Sequence, residues 1–153
     1  MQYNKKLLTA REVAFLVLGE YRRNDAWVGI ALGNMIEKHG IPPREAALST
    51  QIVCGVLQNM RLCDFYVAHF SATGLRKIEP RVLDILRLSI YQIVFLTKVP
   101  HRAAVNEGVA LTKKHFRFNS FAFRSRMTAF SAEPGKSVLL PTSMYGRARR
   151  SAP

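Results

Sequence analysis

Acidic side chains are scarce in this 153-residue chain: Asp and Glu number 10 against 23 Lys and Arg, a formal charge of +13. So one-sided a surface disfavours basic partners and suits a polyanion, met through counterion release and electrostatic steering. Cysteine is nearly absent too. Cys54 and Cys63 stand nine residues apart inside helical pattern, a spacing that makes neither a zinc knuckle nor a secreted disulfide framework. Both are expected to be reduced thiols acting as small core hydrophobes. No apolar run reaches the roughly 18–20 residues of a membrane span, because Arg87 and Gln92 interrupt the longest one. The start, MQYNKKLL, leads into no sustained apolar segment with a small-residue cleavage site. These absences predict a cytoplasmic protein without membrane contact.

Strand signals and internal repeats are missing as well, and what remains is helical. Thr9-Ala-Arg-Glu12 has capping-box spacing and opens a first helix over about 10–22. Val13, Leu16, Val17 and Tyr21 give that helix an apolar face, widened by Phe15 and Leu18. After the Asn24-Asp25 turn, a second helix with Val28, Ala31, Leu32 and Met35 inward runs to about His39 and stops at Gly40. Pro42-Pro43 fits a helix start, where a missing amide costs nothing. The 3.6-residue period then runs from Leu48 to Met60, falters near Arg61-Leu62 and resumes through Phe70, which predicts two helices with a bend between them. From Pro80 to Leu96 the polar residues Arg81, Asp84, Arg87 and Tyr91 form one narrow stripe on an otherwise apolar cylinder, expected as a central helix with one exposed side. Pro100 ends it, and a last helix is expected over about 102–115. The fold class is all-α.

Residues 1–123 carry +8 of the charge and 124–153 the remaining +5. Turn-rich basic sequence ending Gly-Arg-Ala-Arg-Arg-Ser-Ala-Pro predicts a poorly ordered tail over 124–153 behind a single folded domain, 1–123.

Four segments together resemble the NusB family: Ala10-Arg-Glu-Val-Ala14, Val53-Cys-Gly-Val-Leu57, Leu86-Arg-Leu88 with Tyr91-Gln92, and above all Val99-Pro-His-Arg-Ala-Ala-Val-Asn-Glu107. The resemblance covers about 8–123 and implies a compact NusB-like helical bundle that binds RNA. Of the two branches of this family, Lys38-His-Gly-Ile-Pro-Pro-Arg-Glu45 and Gly55-Val-Leu-Gln-Asn-Met-Arg-Leu-Cys-Asp64 look more like the N-terminal domain of a 16S rRNA cytosine-C5 methyltransferase. The alternative is the free-standing transcription antitermination factor, whose protein partner is ribosomal protein S10. Further alternatives are a module that docks on a methyltransferase domain, or the remnant of a truncated gene. Where members continue into a helix resembling Phe-Val-Asn-(Gly/Ala)-Val-Leu-Arg, this chain reads Phe121-Ala-Phe123 and then Arg124-Ser-Arg-Met-Thr-Ala-Phe130. A disrupted reading frame near Phe123 is one explanation, and it leaves Val105, Val109 and Leu111 in want of cover, with Phe118, Phe121, Phe123, Met127 and Phe130 as partial substitutes.

Catalysis is not expected of these residues. A methyltransferase needs a glycine-rich strand-to-helix turn for S-adenosylmethionine and an activated cysteine. Gly29 and Gly33 lie within a helix, and neither cysteine follows a proline. S-adenosylmethionine is therefore expected only with a separate methyltransferase domain, and no cofactor or metal in this chain. His39, His69, His101 and His115 are scattered at helix ends without companion ligands. Asn106 and Glu107 are expected to tie a helix start to a neighbour as a buried polar bracket, with Arg87 also structural. For RNA, which the resemblance implies is 16S rRNA, the matching basic positions are Lys5, Lys6 and Arg11. Arg76, Lys77 and Arg81 cluster at the start of the central helix, and Tyr21 and Tyr3 are candidate base stackers.

Overall fold

Helix boundaries follow from caps written into the chain. The computed structural model describes residues 8–71 and 74–116. Thr9 caps the first helix, its Oγ1 accepting from the Glu12 amide at 3.3 Å, and α1 spans Ala10–Asn24. Asp25 closes it in the left-handed region. α2 (Val28–His39) ends at Gly40, whose φ of 58° is strain-free only without a Cβ. α3 (Pro43–Gln58) begins on a proline and breaks at Asn59, whose side-chain Nδ2 donates to the Gly55 carbonyl at 2.9 Å. The predicted bend is this break, and α4 (Met60–Phe70) follows at once. A 3-10 turn, Leu75–Lys77, leads to α5 (Pro80–Phe95), capped by Glu79 accepting from the Val82 amide at 3.0 Å. α6 (His101–His115) completes the described fold, all helical as its sequence predicts.

α5 is the central element, packed against α1, α3, α4 and α6. Ile85, Leu86, Leu88 and Ile90 are buried along it, and they meet Val13, Val17, Ile52, Val53 and Val56 in one core. Where it packs on α3, a Cβ at Gly55 would overlap the Tyr91 ring. α2 lies to one side with α1 as its main neighbour. Val105, Val109 and Leu111 of α6 are buried rather than left without cover. The expectations for 124–153, and for the aromatic substitutes after Phe116, fall outside the described residues.

Three expectations are corrected. The stripe on α5 does not face water: Asp84 is 3% exposed and Tyr91 8%. Its charges face other charges on α1 and α4, a pattern that sequence spacing cannot distinguish from a solvated edge. Cys63 is buried as expected, whereas Cys54 is exposed. Asn106 is exposed on α6 and Glu107 half-buried, so Asn106 forms no buried bracket.

The Gly55–Tyr91 crossing is testable. Gly55→Ala should cost about 1–3 kcal/mol in urea unfolding, since the buried ring cannot move aside freely. In the Tyr91→Ala background the same substitution should cost almost nothing; an equal loss in both backgrounds would show that the ring is not what excludes the methyl group.

Candidate nucleic-acid interface

The polar side of α5 is held by a chain of ion pairs. Arg87 grips Asp64 of α4 with two parallel bonds, Nε to Oδ1 at 2.7 Å and Nη2 to Oδ2 at 2.9 Å. Its Nη1 lies 3.4 Å from Asp84 Oδ1, one turn earlier on α5, and Asp84 Oδ2 accepts from Arg22 Nε at 2.9 Å. α1, α4 and α5 are thereby tied through two guanidinium groups. Burial pushes the Asp84 carboxyl above its ordinary value, against the hydrogen bond and charge of Arg22. Burial alone would lower Arg87, but its bonds to Asp64 outweigh that and the net shift is upward. Arg87 thus links α5 to α4.

A second set of contacts sits at the start of α1. Arg11 Nε donates to Gln92 Oε1 at 2.6 Å, and the fully buried Gln92 returns its amide to the Leu88 carbonyl at 3.0 Å. Together with the Arg22–Asp84 pair, this sets α1 antiparallel to α5. The Ala10 amide donates to Glu45 Oε2 of α3 at 2.7 Å. Buried Glu12 meets Lys114 Nζ at 2.6 Å and His115 Nε2 at 3.1 Å, joining the start of α1 to the end of α6.

Arg81 completes that junction. Its guanidinium carbon lies 4.7 Å from the Phe116 ring centre and 5.8 Å from that of Phe15, within cation–π range of both. Phe15 in turn lies 4.8 Å, centre to centre, from His115. Phe15 in the first half of α1, Arg81 at the start of α5 and Phe116 at the end of α6 therefore meet. Arg76 and Lys77 are exposed on the turn just ahead of α5, and Lys113 and Lys114 are exposed on the last turn of α6.

Of the residues singled out in the sequence, Arg81 lies at this junction, with Arg76 and Lys77 just ahead of its helix. Arg11 is half-buried and bonded inward, and Lys5, Lys6 and Tyr3 lie outside the described residues. Tyr21 is 36% exposed, apart from the junction at the other end of α1. Sequence reasoning missed Lys113 and Lys114, although their place on the last turn of an amphipathic helix was a usable signal. Cys63 is no nucleophile: burial, then the charge of Asp64, pushes its thiol up to about 12. Among the described residues no group of three or more His, Cys, Asp or Glu could hold a metal ion, and no helix is long and apolar enough to cross a membrane.

Comparison with known proteins places this arrangement. The profile of the NusB family matches residues 8–123. The chain belongs to the NusB family. The probable ribosomal RNA small subunit methyltransferase B of Synechocystis is 33% identical over 107 residues, which are 70% of this chain and 24% of that protein. Its Bacillus subtilis counterpart is 32% identical over 108 residues, 71% of this chain and 24% of that one. The transcription antitermination protein NusB of Coxiella burnetii is 24% identical over 111 residues, covering 72% of this chain and 80% of its own length. The chain thus spans about a quarter of the methyltransferases it matches, and it resembles their NusB-like region more than it resembles the free-standing factor. A chain in the crystal structure of antitermination factors NusB and NusE in complex with dsRNA superposes with a TM-score of 0.71 at 20% identity, over 87% of this chain and 99% of its own. One from the crystal structure of a plectonemic RNA supercoil gives 0.73 at 19%, over 86% and 96%. At these identities the superpositions establish the NusB fold.

Asp84 gives a pH prediction. Its carboxyl titrates above the unfolded value of about 3.9, so as pH falls the folded chain takes up this proton before the unfolded chain does. Asp84 therefore favours folding progressively from its folded pKa down to the unfolded one, and loses that contribution as pH rises. The stability of the wild type relative to Asp84→Asn, from urea unfolding between pH 7 and 4, should shift in the wild type's favour on acidification. A difference that moves the other way would mean that the ion pairs outweigh burial.

Proposed function

We propose that this NusB domain binds RNA at the junction of α1, α5 and α6, with 16S rRNA as its target and no catalysis of its own. The observation that carries the reading is the Arg81 contact with Phe15 and Phe116, which brings the start of α5 and the end of α6 together against α1 beside the exposed cations Lys113 and Lys114, with Arg76 and Lys77 just ahead on the chain. The start of α5 adds favourable potential for phosphate there. Support for rRNA comes from the 32–33% identity to ribosomal RNA methyltransferases, and support for RNA from neighbours of the same fold solved with it. Lys5 and Lys6, five and four residues ahead of α1 in the sequence, are the further cations assigned to this contact.

Filter binding to 16S rRNA fragments should weaken about 10³-fold between roughly 50 and 200 mM salt if about six phosphates are met. The triple variant R76A/K77A/K113A should bind more weakly and reduce the salt slope by about two to three, at about 0.9 per lost contact. K5A/K6A should lower it by about two. Unchanged affinity and slope in both variants would rule out this surface.

A protein-docking role is favoured by one separate observation: Trp27 is 82% exposed and Ile30 65% exposed on the outlying α2. Ribosomal protein S10 is the candidate that the family resemblance implies, with a methyltransferase domain as the other. Calorimetric titration with purified S10 should give heat that Trp27→Ala abolishes, and the absence of heat with the unaltered chain would dismiss S10.

A further inference from the structure

Away from that junction, a pocket of about 240 Å3 opens between the end of α1, the α3–α4 break and the start of α5. Buried Leu18 and Val56, with half-buried Met60, give it an apolar inner side, and exposed Tyr21 and Arg22 stand at its mouth. Buried Asp84 supplies its polar end. The volume lies below the about 300–1,000 Å3 of sites for drug-sized molecules, so it suits a single flat ring system.

Its polar groups are unequally occupied. Arg87 has three nitrogens engaged by Asp64 and Asp84. Arg22 gives only Nε, to Asp84, and its two Nη groups have no partner among the described residues. Asp84 accepts one bond at each oxygen, while a carboxylate offers about four acceptor sites. The pocket thus combines an apolar inner side, two planar groups at its mouth, an acceptor within and free donors beside it.

We propose that this pocket receives one unstacked nucleobase carrying an exocyclic amine. The inference rests on the RNA-binding reading above and gives it a second, base-reading contact. The Tyr21 ring stacks on the base. The exocyclic amine donates to Asp84, and Arg22 Nη donates to a ring nitrogen or carbonyl of the base. Uracil presents carbonyl oxygens where the amine would stand, setting acceptor against acceptor, and is rejected.

Free nucleosides test this without phosphate, so the result is independent of the polyanion surface. Cytidine or adenosine titrated into the full chain should shift the Met60 ε-methyl and Val56 methyl NMR signals saturably, and uridine should bind at least tenfold more weakly. Met60→Trp, which fills the pocket, should abolish the Val56 shifts, and Tyr21→Ala, at an exposed position, should weaken cytidine at least fivefold. No saturable shift, or an equal response to uridine, overturns the proposal. RNA binding without nucleoside shifts removes the pocket alone, whereas nucleoside shifts without salt-dependent RNA binding remove the polyanion surface and leave the pocket standing.

Discussion

Arg87 is the side chain on which the bundle's arrangement depends. A central helix carrying two charged residues one turn apart must bury them, and an unpaired buried charge costs several kcal/mol. The planar fork of arginine suits this position because it can engage two carboxylates at once, Asp64 along one edge and Asp84 at the remaining nitrogen. Asp84 then needs a second cation, which Arg22 provides from α1. Hydrophobic contacts would allow α1 and α4 to slide along α5, whereas these bonds fix their register. Such a network is poor evidence of net stability and better evidence of a specified geometry.

The same economy of acids shapes the exterior. Glu12, Asp64 and Asp84 are paired with cations inside the fold, and Glu45 accepts from the first amide of α1. Acid after acid is thereby neutralised inside the fold, while Arg76, Lys77 and Lys113 stand exposed. The field outside the bundle is more positive than a uniform spread of the same charges would make it. A basic surface here is a consequence of how the core is pinned, as well as of composition.

Helix ends were legible because their signals are local: Thr9, Gly40, Pro43 and Pro80 act on neighbouring amides whatever the tertiary context. The α5 stripe was misread because a charge facing water and a charge facing Asp64 have the same spacing along the chain. Arg11 shows the limit for sites. The resemblance implies an RNA contact for it, yet its Nε is taken by Gln92, a contact 81 residues distant that no local pattern announces. Lys113 and Lys114 were overlooked because a basic last turn is the ordinary complement of a helix dipole, and only the fold sets them near Arg81 and the start of α1.

Arg81 itself divides two ways of meeting RNA. Its guanidinium is within cation–π range of Phe15 and Phe116, which limits its freedom to follow a phosphate. Its charge is not removed by that contact, and within a Debye length of about 8 Å it still adds to the potential felt by a backbone at the junction. Lys113 and the exposed residues ahead of α5 have the opposite character, with long unfixed side chains that can adapt to a phosphate but lose more entropy on doing so. A pinned arginine surrounded by adaptable cations gives attraction with little sequence discrimination, as phosphate contacts generally do. Discrimination between bases has to come from elsewhere on the molecule, where a side chain is held rigidly with unused hydrogen-bonding capacity. Asp84 meets that requirement, because the pairs that hold the bundle in register also hold its carboxylate in place.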